Sequence, residues 1–216
     1  KIASMEITDI PLISYTASKQ KPMIISTGVA DADDIGLAVE TCRQAGNRQI
    51  TLLKCTSQYP ARIEDANLTC IPDMKQRFGV DVGVSDHSPG SMVPVVAVAL
   101  GAVVVEKHFI LDRKLGGPDS AFSMEPHEFA EMVQAVRQAE AALGRVSYDI
   151  TNNDKLRRRS LFVVRDIAAG ELLSPENIRS IRPGAGLHPK YYDEVIGKRA
   201  IRYICKGKAL DIRDFE

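Results

Sequence analysis

Apolar residues in this chain gather in short runs, and each run ends at small polar or ionisable residues. Met23-Ile24-Ile25, Ile50-Thr51-Leu52-Leu53, Val80 to Val84 and Ala102 to Val105 are continuous rather than alternating, as strands buried on both faces are. Lys1-Ile2-Ala3 reads as the tail of one more strand. Helix signals lie between the runs. Asp31 or Asp33 is placed to cap a helix over Ala32 to Ala45, stopped by Gly46, and a second over Ala66 to Arg77 stops at Gly79. Ser91 to Leu100 is nearly all apolar and stops at Gly101. Pro126 to Leu143 sets Phe129, Met132, Val133, Val136 and Ala139 on one stripe, with Pro126 in the first turn. Continuous strands each followed by a helix predict βαβ units and a parallel sheet.

Thr151 to Arg159 breaks this pattern. It carries Arg157, Arg158 and Arg159 and reads as a linker or a solvated face. Beyond it the chain turns to short strands and turns, and a repeat shows. Arg165, Ile167, Gly170 and Leu173 recur at the same spacing as Arg202, Ile204, Gly207 and Leu210, with Ile178 and Phe215 at a matching offset. Two strand–glycine turn–strand copies predict a small pseudo-symmetric β domain. The expected organisation is residues 1–148, a linker at 149–159, and a β-rich domain at 160–216.

Composition narrows the classes. With 216 residues and 28 basic against 28 acidic side chains, the chain lacks the excess charge of a nucleic-acid or polybasic membrane binder. No apolar run approaches the roughly 20 residues of a membrane span. Cys42, Cys55, Cys70 and Cys205 form no Cys-x-x-Cys. They read as small buried hydrophobes and suit a reducing cytoplasm. The chain opens at Lys1 in mid-phrase, as a fragment or a processed product would.

The polar residues that end the runs carry the chemistry. They are Ser4-Met5-Glu6, Ser26-Thr27-Gly28, Thr56-Ser57, Ser85-Asp86-His87 and Glu106-Lys107-His108. In a parallel α/β sheet these are the carboxyl ends of strands, where active sites lie. Strand side chains alternate, so Ser85 shares a face with His87 and Glu106 with His108, while Asp86 and Lys107 point the other way. The same alternation sets Lys1 opposite Ser4. Adjacent strands lie about 4.8 Å apart, close enough for His87 and His108 to converge. A divalent-metal site and two imidazoles that merely bond within their loops are both open at this point. The hydroxyls and Gly28 suit a phosphate, and no Walker or Gly-x-Gly-x-x-Gly motif indicates a nucleotide. Leu115 to Ser120 suits a lid that carries Asp119 toward a substrate.

Lys1 to Glu6, Ile25-Ser26-Thr27-Gly28, Lys54-Cys55-Thr56-Ser57-Gln58-Tyr59-Pro60, Gly83 to His87, Glu106 to Phe109 and Gly117-Pro118-Asp119 resemble the sialic acid synthase family in order and over nearly the whole chain. Arg182-Pro183-Gly184 and the turns at Gly170 and Gly207 resemble its antifreeze-like (SAF) domain. Lys54 to Ser57, Glu64 to Leu68 and Gly186 to Tyr192 look most like the pseudaminic acid synthase branch.

The resemblance implies the later part of a TIM (β/α)8 barrel, about five strands with the first strands missing, followed by a SAF domain. It implies condensation of phosphoenolpyruvate with a 2,4-diacetamido-2,4,6-trideoxy-hexose of the altrose type, giving pseudaminic acid and phosphate by C–O cleavage. N-acetylneuraminate or legionaminate synthesis is the alternative, and a non-catalytic carbohydrate-binding fragment is the rival of another class. By motif, His87 and His108 hold a divalent metal, manganese before magnesium or cobalt. Lys1, Ser4, Ser26, Ser57 and Ser85 contact phosphoenolpyruvate. Glu106 and Glu6 are the catalytic carboxylates. Tyr59 and Asp119 meet the sugar, as does Arg182 from the neighbouring subunit of a domain-swapped homodimer. The 216 residues alone are expected to lack synthase activity, because about 100 more would complete an eight-stranded barrel.

Overall fold

The computed structural model describes all 216 residues, which form two compact units, Lys1–Arg145 and Val146–Glu216. In the first unit four parallel strands stand in sequence order: β1 (Met23–Ser26), β2 (Ile50–Cys55), β3 (Asp81–Asp86) and β4 (Val105–Lys107). Ile25 pairs with Leu52, Leu52 with Val82, and Val84 with Val105. The strand tail at Lys1–Ala3 contributes one parallel bridge, Ile2 to Ile25. All connections are α-helical crossovers, and the central strands β2 and β3 bury side chains on both of their faces, as their apolar runs predict.

The helices are α1 (Ile10–Ala17), α2 (Ala32–Gln44), α3 (Cys70–Phe78), α4 (Met92–Ala99) and α5 (Pro126–Leu143). Asp31, not Asp33, caps α2, its carboxylate accepting from the Asp33 and Asp34 N–H groups at 2.9 Å. Helix α3 begins later than the pattern predicts. A one-turn 3-10 helix at Ile63–Asp65 and a positive φ at Asn67 take up the residues before it, and Gly79 ends it in the left-handed conformation. Ile13, Ala38, Cys42, Ile71 and Ala97 from the helices pack fully buried against Ile25, Leu52 and Val82. Each large side chain so buried contributes about 1.5–3 kcal/mol. This core fixes the strand ends, and with them the polar residues that follow.

The second unit opens with α6 (Asn152–Leu156), capped by Thr151, within the stretch expected to be a linker. β5 (Ser160–Val163) and β6 (Ile178–Ile181) pair antiparallel. The two repeat copies interlock. Ile167 and Ile204, equivalent positions, exchange both backbone hydrogen bonds at 2.9 Å. The Gly170 N–H donates to Ala200 O, and the Gly207 N–H donates to Val163 O, each at 2.7 Å. Both glycines have positive φ, which a turn of this shape requires. Leu161, Ile167, Leu173, Ile178, Ile204 and Leu210 fill the core between them. No helix in either unit is long and apolar enough to cross a membrane.

Candidate active site

The ends of β3 and β4 stand in register, Ser85 beside Glu106 and Asp86 beside Lys107. The Ser85 hydroxyl donates to Glu106 Oε1 at 2.8 Å. One step further, His87 and His108 face each other with ring centroids 5.1 Å apart. Asp86 and Lys107 turn to the other face, as strand alternation predicts, and meet there. Ser85, His87, Glu106, Lys107 and His108 line a hollow of about 280 Å³ at this end of the strands. A larger hollow, about 570 Å³, opens at the amino ends of β2 and β3. It is lined by Arg48, Lys75 and loop backbone and holds none of the predicted site residues.

His87 is buried, and its Nδ1 lies 2.9 Å from the Thr56 carbonyl just beyond β2. A carbonyl only accepts, so Nδ1 carries the proton and Nε2 keeps its lone pair in the neutral ring. Burial pushes the His87 pKa down, but hydrogen bonds with Cys55 and Thr56 outweigh it and the net shift is upward. His108 is lowered, first by burial and then by His87. The Asp119 carboxylate lies 3.6 Å from His108 Nδ1. Aromatic rings close the other side: Tyr59 lies 4.2 Å from the His87 ring and Phe122 lies 5.1 Å from His108, centroid to centroid.

Glu106 also receives Lys1, whose Nζ lies 2.9 and 2.7 Å from its two oxygens. Burial raises the Glu106 pKa, but the Lys1 and Ser85 hydrogen bonds more than offset this and hold it below the usual carboxylate range. Lys1 thus reaches the site although alternation sets it opposite Ser4. The reason is local: a 3-10 turn begins at Ser4, so strand parity does not extend that far.

The hydroxyls gather around Cys55. Its Sγ lies 3.8 Å from Ser57 Oγ. Burial raises its pKa, yet hydrogen bonding with His87, Ser4, Ser85 and Ser57 brings it down to about 7. The Gly28 N–H donates to Ser4 Oγ at 3.1 Å. A Cβ at Gly28 would lie 2.1 Å from Ser57 Oγ and 3.0 Å from Ser4 Oγ, so only glycine leaves this cradle open. Ser26 Oγ is buried with no hydrogen-bond partner, the one such side-chain atom in the protein. A buried hydroxyl without a partner is costly unless a ligand supplies one.

One predicted residue of the first unit has no hydrogen bond to this cluster: Glu6 is exposed at the end of the 3-10 turn. Arg182 belongs to the second unit and is exposed after β6. Other residues belong to the site without having been predicted. Cys55 is a hub of polar contacts rather than an inert hydrophobe, and its parity with Ser57 is the only sequence signal for that. Phe122 gave none. The reading of all four cysteines as buried also fails, since Cys205 is exposed and Cys70 only partly covered.

No group of three or more His, Cys, Asp and Glu side chains is arranged to hold a metal ion. Two imidazoles converging beside an open hollow, when neutral, do fit an ion whose other positions go to water or substrate. The Thr56 contact fixes the His87 tautomer as outer partners of metal-binding histidines do.

A parallel α/β unit with hydroxyls and paired imidazoles at its strand ends, joined to an interlocked β unit, belongs to a defined class. Residues 1–148 match the NeuB family and residues 158–216 match the SAF domain, and the chain belongs to the NeuB family. It is 45% identical to the pseudaminic acid synthase of Helicobacter pylori over all of this chain and 65% of that protein. It is 46% identical to that of Campylobacter jejuni, over all of this chain and 64% of that one. The chain therefore spans just under two thirds of these relatives. It is also 39% identical to the N,N'-diacetyllegionaminic acid synthase of Legionella pneumophila, over 97% of this chain and 61% of that protein. Among solved structures, the Bacillus subtilis spore coat polysaccharide biosynthesis protein SpsE superposes with a TM-score of 0.63 at 36% identity, covering 100% of this chain and 66% of that one.

Proposed function

We propose that this chain carries the metal- and phosphoenolpyruvate-binding part of a sialic-acid-type synthase. Its sugar substrate is a 2,4-diacetamido-2,4,6-trideoxy-hexose of the altrose type, and the products are pseudaminic acid and phosphate. The observation that carries the reading is the serine cradle about Gly28 and Cys55, with the two converging imidazoles and the buried, partnerless Ser26 hydroxyl two residues before Gly28. Identity near 45% to pseudaminic acid synthases supports the choice of sugar.

In this reading Lys1 and the hydroxyls of Ser4, Ser26, Ser57 and Ser85 bind the phosphate and carboxylate of phosphoenolpyruvate. Its anionic groups compete with Glu106 for the Lys1 ammonium and so release the carboxylate. The C2–C3 π pair of phosphoenolpyruvate bonds C3 to the sugar aldehyde carbon, and the carbonyl π pair passes to the aldehyde oxygen, which ends as a hydroxyl with a proton that the added water supplies in net. Water then adds at C2, and phosphate leaves with the bridging oxygen. Glu106 accepts the water's proton, with Glu6 as the alternative base. Tyr59 and Asp119 orient the sugar. His87 and His108 would hold a divalent ion, manganese before magnesium or cobalt, which when bound supplies Lewis acidity toward the aldehyde. Arg182 acts across a homodimer, so a monomeric mass in light scattering would count against that part. Four free thiols suit a reducing compartment, and cytoplasm is the proposed location.

Phosphate release by the full-length protein tests the reading. Turnover is expected with the altrose-type sugar. Turnover only with the precursor of N-acetylneuraminic or legionaminic acid would overturn the substrate assignment. Sugar binding without turnover, unaffected by His87→Ala, would point to a carbohydrate-binding module instead.

A further inference from the structure

We propose that Asp86 and Lys107 are positioning residues whose buried ion pair holds His87 and His108 at the spacing a shared ion requires; this rests on the metal-site reading above. The two are direct cross-strand partners, and Lys107 Nζ lies 2.6 Å from Asp86 Oδ2. The Lys107 and Asp86 side chains are 1% and 3% exposed. The same ammonium donates to the Ser88 carbonyl. Asp86 Oδ1 in turn accepts from the Ser88 N–H at 2.8 Å and the Ser88 hydroxyl at 2.7 Å.

The consequence is geometric. Asp86 and Ser88 flank His87, and Lys107 precedes His108. One ammonium therefore joins the Asp86 carboxylate to the Ser88 carbonyl, the residues on either side of His87, and belongs to the residue that precedes His108. His87 has a further tie to Thr56, but no hydrogen bond holds the His108 ring: Asp119 lies 3.6 Å away, beyond hydrogen-bond reach, and its other neighbours are the Phe122, Tyr59 and His87 rings. The height of the His108 ring is thus set by its backbone, which Met124 N–H holds on one side at 2.9 Å and the Lys107 anchor holds against β3.

Stability alone does not account for such a pair. A buried ion pair gains little over apolar residues of similar volume, because desolvation consumes the Coulombic gain. Replacing both members together should leave the fold standing and expose the positioning role.

The test uses the full-length protein. Manganese affinity is measured by calorimetry for wild type, Asp86→Asn/Lys107→Met and His87→Ala, each checked by near-ultraviolet circular dichroism. Ring-nitrogen NMR of the metal-free protein reads the imidazoles directly. The double variant should keep its dichroism, bind manganese 10–100-fold more weakly, as loss of an outer-shell partner does, and give broadened or multiple His108 signals. Affinity within threefold of wild type with unchanged ring signals overturns the proposal. Unchanged affinity in His87→Ala would instead sink the metal-site reading. If the double variant does not fold, Ser88→Ala removes one bond to Asp86. Binding weakened at least threefold supports the clamp, and unchanged binding overturns it.

Discussion

Replacing Gly28 by alanine separates the site from the fold. The glycine does not have positive φ, so alanine meets no backbone strain there. The new Cβ would sit 2.1 Å from Ser57 Oγ, whereas ordinary contact begins at 3.4 Å. The hydroxyl must retreat by about 1.3 Å, the difference of those two distances. Ser4 Oγ at 3.0 Å and Cys55 Sγ at 3.1 Å must give by a few tenths. A serine swings to another rotamer cheaply, so the stability loss is about 1–2 kcal/mol, at the low end for overpacking. Function pays far more. A catalytic contact misplaced by about 1 Å costs on the order of 100-fold. Steady-state phosphate release should therefore show kcat/KM for phosphoenolpyruvate reduced about 100-fold, while the urea midpoint falls by about 0.5–1 M and the protein stays folded in the assay. A kcat/KM within threefold of wild type in the folded variant would refute the cradle as the phosphoenolpyruvate site.

Other outcomes are expected. His87→Ala and His108→Ala should each abolish manganese binding in calorimetric titration with dichroism unchanged, and retained affinity in both would remove the metal assignment. Asp214 is fully buried and accepts from Lys208 at 2.6 Å, from Arg202 at 2.6 and 3.1 Å, and from the Asp211 N–H at 2.9 Å. Burial raises its pKa, but these donors outweigh burial and depress it below the unfolded value of about 3.9. Its contribution is thus present above that value and lost as pH falls through the folded one. Asp214→Asn should cost about 2–4 kcal/mol at neutral pH, discounted for the exposure of Arg202, and should flatten the acid loss seen in urea titrations. An unchanged acid slope would count against it. Ile167→Ala and Ile204→Ala should each cost about 2–5 kcal/mol and combine non-additively, since the two residues bridge each other. Strict additivity in denaturant unfolding would contradict that coupling.

The strands were legible because burial on both faces leaves an unbroken apolar run, and α5 because its stripe repeats at helical spacing. Helix α1 was not legible. Ile10 to Ala17 mixes apolar and hydroxyl residues with no polar face, and Asp9 caps it without a helical period to follow. Within the site, parity foretold that His87, His108, Ser85 and Glu106 share a face. It failed at Lys1, where the extended backbone gives way to a turn. Cys55 and Phe122 were hidden for another reason. Their roles come from neighbours such as His87 and His108, which only the folded strands and loop bring near, and no local pattern encodes such a neighbour.

The reciprocal glycine bonds of the second unit mean that neither repeat is a folding unit. Each copy presents half of every crossing ladder, so a piece ending between Leu173 and Arg199 would leave Ile167 and Gly170 without their acceptors. The unit is in effect a dimer fused into one polypeptide, and it should melt in a single cooperative step. Its near-twofold arrangement also gives most core positions a counterpart in the same molecule, so an effect seen in one copy can be checked against its twin under identical solution conditions.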